Sequence, residues 1–281
     1  MPAPAEPRPF AVGGLHGESG GEGPPIVLCH GLTATRRSVI HGSRALERAG
    51  HTVVTYDARG HGESDPAPSG QGYDYPALVG DLGAVLDSQA AGPAVVGGHS
   101  MGAHTAVAYT LEHPDRVAGL VVVGPSYMGL ADEESLAYWD GLADALEADG
   151  VDGFVAAIER QQPIDPRWRD SVLRFTRERM LRHRHLGAVA RALREVPRSR
   201  PFDDLDELAA IKAPALVVAS RDSADPGHPQ AVAGAYADAL PRARLAVEEE
   251  GQSPLAWQGG RLSRAIAAFA ASLEDSRRPL Q

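Results

Sequence analysis

AVVGGHSMGAHTAVAYTLEH, residues 94–113, decides the fold. Its opening residues are apolar and β-branched, the mark of a short buried strand, here read over 94–96. From Ser100 to about His113 the spacing is helical. Between the two stand Gly98, Ser100 and Gly102, in the pattern G-x-S-x-G. That pattern makes a sharp turn from strand to helix. The central residue takes a strained backbone position, and small residues two before and two after it avoid a clash. The serine oxygen then stands at a helix N-terminus, where backbone N–H groups favour negative charge. An ordinary glycine-rich turn is the plain alternative. A strand before and a helix after favour a nucleophile at Ser100.

Outward from this stretch the rhythm repeats. Residues 26–29 form a short apolar run between GEGPP and HG, and 33–49 has helical spacing that stops at Gly50. Residues 51–56, with TVVTY, form a strand, 75–89 a helix and 117–123 another strand. The first 25 residues are dense in Pro and Gly and read as loops or a frayed start. Alternating strands and helices predict a parallel sheet covered on both faces. After Gly124 the alternation stops, and 126–200 reads as several helices. It resumes with strands at 215–219 and 244–247 and helices at 230–240 and 257–273. The expected architecture is α/β: a doubly wound, mostly parallel sheet from 1–125 and 201–281, with 126–200 inserted as a helical cap.

Totals narrow the function. The formal charge of −10 repels a nucleic-acid backbone. Cys29 is the one cysteine, so an internal disulfide is impossible, and a buried strand position is its expected role. No apolar stretch approaches a membrane span, and the first residues do not read as a secretion signal, so a cytoplasmic location is expected. No metal-ligand spacing, phosphate loop or dinucleotide fingerprint is present, so no cofactor is expected. The expected partner is a small-molecule substrate, bound by a monomer or a homo-oligomer.

GHSMG (98–102), LCHGL (28–32) and DARGHGES (57–64), in the order LCHGL, DARGHGES, GHSMG along the chain, give the sequence a specific resemblance. It resembles the α/β-hydrolases, in particular their capped esterase, lactonase and peroxidase-like members. The resemblance implies that the Leu32 and Met101 N–H groups form an oxyanion hole. It implies a loop-holding role for His30 and bracing roles for Asp57, Arg59 and Ser64. It places the triad acid at Asp222, after the strand ALVVAS, with Asp225 as an alternative. A serine at the elbow argues against dehalogenase and epoxide-hydrolase chemistry, which need a carboxylate nucleophile.

The family's base follows the last strand as Gly-His. Here that position reads Gly251-Gln252, and an amide cannot accept the serine proton. Three accounts compete. The base has moved to His228, the only histidine after Asp222, held in DPGHP. Or a histidine of the cap, His183 or His185, supplies it. Or there is no base, and the protein is a non-catalytic or weakly active binder of small molecules. His99, at the variable position of the elbow, is expected to point away from Ser100, and His104 flanks it.

The sequence therefore predicts a serine hydrolase of a small, mainly apolar ester, thioester or lactone. A perhydrolase or lyase reaction in the same pocket is a further reading. Tyr127 and Trp139 are candidate substrate-binding residues. Together with Met128, Tyr138, Phe154, Trp168 and Phe175 they read equally as the cap's own core. The arginines of 167–179 leave room for an anionic group, though such a run more often marks a solvated face.

Overall fold

The computed structural model describes residues 5–161, 164–221, 227–248 and 259–275. Among the described residues eight strands form one sheet, in the order β1-β2-β4-β3-β5-β6-β7-β8. They are β1 (Arg8–Val12), β2 (Leu15–Gly20), β3 (Pro25–Cys29), β4 (Thr52–Tyr56), β5 (Ala94–His99), β6 (Val117–Val123), β7 (Ala215–Ala219) and β8 (Ala243–Val247). From β4 to β8 all neighbours are parallel, and β1 and β2 join antiparallel at one edge.

The strand residues alternate between two apolar clusters. Val27, Val54, Val96, Val122 and Val217 face one, while Ile26, Val53, Val95, Val121 and Val218 face the other. Both faces are thus buried, as a parallel sheet requires. The first face is covered by α2 (Tyr75–Gln89), α3 (Met101–Glu112) and α7 (Gln230–Ala239). The second is covered by α1 (Ala45–Arg48) and α8 (Gly259–Asp275). No helix among the described residues is long and apolar enough to cross a membrane.

Two expectations are corrected. The first 25 residues are not all loop. RPFAV and LHGESG form a hairpin whose turn is Gly13-Gly14, with φ of 57° and 83°. Positive φ at both turn residues matches the twist of the strands and suits glycine. That Gly-Gly pair between two short runs was the available signal. Nor do 33–49 form one helix. They contain a 3₁₀ turn at Arg36–Ser38 and the single-turn α1, separated by positive φ at His41 (47°) and Gly42 (72°). Here a tertiary contact overrides helical spacing. Arg36, 8% exposed, turns inward to pair with the fully buried Asp57 and with Glu63 and Glu18.

Between β6 and β7 the described chain contains no strand. It forms α4 (Glu133–Gln161), broken at Asp149 and Gly150, then α5 (Arg169–Met180) and α6 (Leu186–Glu195). These helices bury their own cluster, with Leu142, Leu146, Phe154, Met180 and Val189 at its centre. The segment is tied to the sheet at the loops after β3 and β4. The Gly62 N–H donates to His183 Nδ1 (2.9 Å), His183 Nε2 donates to the Thr33 carbonyl (3.0 Å), and the Arg184 N–H donates to the Gly62 carbonyl (2.9 Å).

Candidate active site

Chain direction across the sheet reverses at β3. Its neighbours are β4, the next strand, and β5, the one after that. Open α/β sheets form a crevice at such a reversal, outside the carboxyl ends of the strands. LCHGL leaves β3 there and GHSMG leaves β5.

The turn at Ser100 has the geometry its pattern predicts. Ser100 has φ 51° and ψ −118° and stands immediately before α3, and its N–H donates to the Val123 carbonyl at 3.0 Å. A Cβ on Gly98 would lie 2.4 Å from the Cys29 carbonyl oxygen, and a Cβ on Gly102 would lie equally close, 2.4 Å, to the same oxygen. The end of β3 therefore crosses directly against the elbow, and only glycine fits at either position. Gly102→Ala is expected to destabilise the fold by about 3 kcal/mol or more, because the obstructing atoms are backbone and cannot swing aside. Urea unfolding measures it, and an unchanged midpoint would show that the end of β3 and the first turn of α3 are not in this contact.

The same closeness brings the loop after β3 to the serine. A Cβ on Gly31 would lie 3.4 Å from Ser100 Cβ. Leu32 follows and packs against both the helical cluster of α4–α6 and the cluster that contains Ala58 and Met101. Met101 is the first residue of α3, so its N–H has no acceptor within the helix. His30 holds the loop. The Ala58 N–H donates to its Nε2 (2.9 Å), and its Nδ1 bonds the Gly31 carbonyl (2.8 Å). Ser64 bonds the Asp57 carbonyl, and Arg59 grips Asp81 through two bonds of 2.7 Å. Cys29 is buried, and burial pushes its thiol up to about 12, so it stays neutral.

Several histidines have their nitrogens committed to internal partners. His183 bonds backbone on both sides, as described above, and burial pushes it down to about 4. His104 accepts from the Ser126 and Tyr127 N–H groups at Nε2 (3.1 and 3.2 Å), which leaves Nδ1 to donate to the Tyr75 hydroxyl (3.0 Å). Burial pushes it down to about 3. A histidine committed this way does not take a proton from Ser100. His185 stands half-buried before α6.

His228 is elsewhere. It lies just before α7, half-buried, with its ring 4.7 Å from that of His99, the residue preceding Ser100. Nothing in the sequence pairs these two histidines. Asp222, Asp225 and Gln252 lie outside the described residues.

Tyr127 is tied into the sheet side. Its hydroxyl donates to the Phe202 carbonyl (3.0 Å), and its own carbonyl accepts from the Tyr236 hydroxyl (2.8 Å). Trp139 packs against the helical cluster beside Tyr138. Arg169 and Arg177 pair with Glu159 and Asp152 of α4.

A family model described as alpha/beta hydrolase fold matches residues 24–182, more than half of the chain. The chain belongs to the alpha/beta hydrolase fold family. It is 35% identical over 208 residues to a 2-hydroxy-6-oxononadienedioate/2-hydroxy-6-oxononatrienedioate hydrolase of Burkholderia vietnamiensis, which covers 70% of each chain. It is 41% identical over 108 residues to epoxide hydrolase B of Mycobacterium tuberculosis, 38% of this chain and only 30% of that one. The chain thus spans under a third of that relative's length. Among solved structures it is similar to a thermophilic esterase from Thermogutta terrifontis, with a TM-score of 0.74 and 23% identity over 96% of this chain and 99% of that one. An enol-lactonase from Burkholderia xenovorans gives a TM-score of 0.71 and 22% identity over 95% and 100%. At these identities the two structures speak to the fold alone.

Proposed function

We propose that this protein is a serine hydrolase of small, mainly apolar esters, thioesters or lactones, working through an acyl-Ser100 intermediate. The observation that carries the reading is the backbone at Ser100. A serine held at φ 51° before a helix, with a glycine loop against its Cβ, is strained in a way that an ordinary turn does not need.

In this reading Ser100 Oγ attacks the substrate carbonyl carbon. The oxygen that becomes negative is held by the Leu32 and Met101 N–H groups. His228 takes the serine proton and returns it to the leaving group, with Asp222 as the acid that orients it. Water, deprotonated in turn by the base, then releases the acid and restores Ser100. The helical segment 126–200 acts as a cap and sets the size of substrate admitted. A serine at the elbow separates this chain from carboxylate-nucleophile chemistry, in spite of its local identity to an epoxide hydrolase. Fold alone does not name the reaction.

Gln252, where the family has histidine, favours a second reading in which the protein binds small molecules without turning them over. One experiment separates the two. A fluorophosphonate probe is added to wild type and His228→Ala, adducts are located by mass spectrometry, and p-nitrophenyl butyrate turnover is followed beside them. The expected result is one adduct, on Ser100, and a loss of about a thousandfold in both labelling rate and turnover in His228→Ala. Wild type without an adduct or turnover would support the binding protein. Full activity in His228→Ala would remove His228 as base.

A further inference from the structure

The mouth of the sheet holds a pair of imidazoles. His99 is the last residue of β5, its backbone paired with Val123 of β6. His228 comes from the far end of the chain, one residue before the proline that opens α7. Their ring centroids are 4.7 Å apart and the planes meet at 65°, an edge-to-face contact. Aromatic rings prefer such an arrangement because the positive edge of one meets the negative face of the other.

Two glycines make the slot. A Cβ on Gly31, after β3, would come within 2.9 Å of His99 Nδ1. A Cβ on Gly124, after β6, would come within 3.2 Å of His99 Nε2 and 3.4 Å of His228 Cβ and Cγ. Gly124 also has φ 52°, which other side chains rarely adopt. His99 is thus set between two strand ends by backbone, with its ring against the ring of His228. It is fixed by the sheet, whereas His228 sits on a loop.

We infer that His99 is a positioning residue for His228, its ring acting as the wall that fixes the orientation of the base. The inference rests on the reading of His228 as base. A base on a loop is effective only when its nitrogen is held toward the proton it takes, and a misplaced group costs rate without weakening substrate binding. The residue between Gly98 and Ser100 then serves the mechanism although it touches no substrate.

The test uses the full chain and two variants, His99→Ala and His99→Phe, beside His228→Ala. Ester kinetics with p-nitrophenyl butyrate give kcat and KM separately. Carbon-13 relaxation of the His228 imidazole C–H reports how well the ring is held, and needs no substrate. His99→Ala is expected to lower kcat by about ten- to a hundredfold with KM within about twofold. Ring order at His228 falls in the same variant. His99→Phe keeps a ring face and is expected to recover most of the rate and the order. If His228 stays equally ordered in His99→Ala, or if Phe is no better than Ala, the positioning role is overturned. If His99→Ala keeps full kcat while His228→Ala is inactive, positioning fails and the base stands. If His228→Ala is fully active, the base itself falls and the inference falls with it.

Discussion

Ser100→Ala is expected to lower kcat/KM for p-nitrophenyl butyrate by about a thousandfold or more. The substitution removes the one atom proposed to bond the acyl group. It leaves the Leu32 and Met101 N–H groups, the helices α4–α6 and the histidines in place, so the variant should still bind substrate. Some catalysis should persist, because oxyanion donors alone retain roughly a thousandfold over water in enzymes that lose their nucleophile. The loss should therefore fall in kcat, with KM nearly unchanged. The fold should be indifferent. Ser100 already holds φ 51°, and alanine meets the same strain there as serine. A matched urea midpoint and a lost kcat together mark a reacting atom. A variant that keeps more than about a tenth of the activity would place the nucleophile elsewhere and end the acyl-serine reading.

The second large effect is on stability. Acidification from pH 6.5 toward pH 4 is expected to cost several kcal/mol, through histidines that are neutral in the folded protein. His183 is pushed down to about 4 and His104 to about 3, in each case chiefly by burial. Burial lowers His30 and His61 as well. The sign follows from proton counting. Between the ordinary histidine value and the lowered one, the unfolded chain binds protons that the folded chain does not, so stability falls as pH falls. A shift of two and a half units is worth about 3 kcal/mol, so His183 and His104 together contribute about 6 kcal/mol by pH 4. That is comparable with the whole stability of an ordinary domain, about 5–15 kcal/mol.

The useful window is pH 6.5 to 5, above the range in which ordinary carboxylates titrate. Urea unfolding across it should give a slope that steepens toward about 1.4 kcal/mol per pH unit for each of His30, His61, His104 and His183. His183→Asn keeps an acceptor for the Gly62 N–H at the place of Nδ1, gives up the bond from Nε2 to the Thr33 carbonyl, and does not titrate. It should remove about one proton from that slope. An unchanged slope would mean that His183 does not tie the helical segment to the loops after β3 and β4. In structural terms, protonating His183 takes away the lone pair to which the Gly62 N–H donates.

The legible parts of this protein were those governed by neighbours in the chain. The strands were visible because burial on both faces demands continuous apolar runs, as in VAGLVVV and ALVVA. The elbow was visible because its demands are local: a positive φ at Ser100, and no Cβ at Gly98 or Gly102. The β1–β2 hairpin has a local signal too, the Gly13-Gly14 pair whose positive φ makes the turn. The helix expected over 33–49 had the right spacing and failed for a reason outside it. Arg36 meets Asp57 and Glu63, which belong to the loop after β4.

By itself the sequence determined the family, the parallel part of the sheet and the serine at the carboxyl end of β5. It also raised the question of the base, because Gln252 cannot do what a histidine does. Only the tertiary structure decided which histidines have their nitrogens committed elsewhere. His183 and His104 look like any others in the sequence, yet each spends both nitrogens on internal partners. Only the tertiary structure brought His228, from a distant part of the chain, against His99. The reason is physical. A turn or a strand is fixed by dihedral angles and burial that adjacent residues dictate. The state of an imidazole is set by whatever the folded chain packs around it, and no local pattern encodes that.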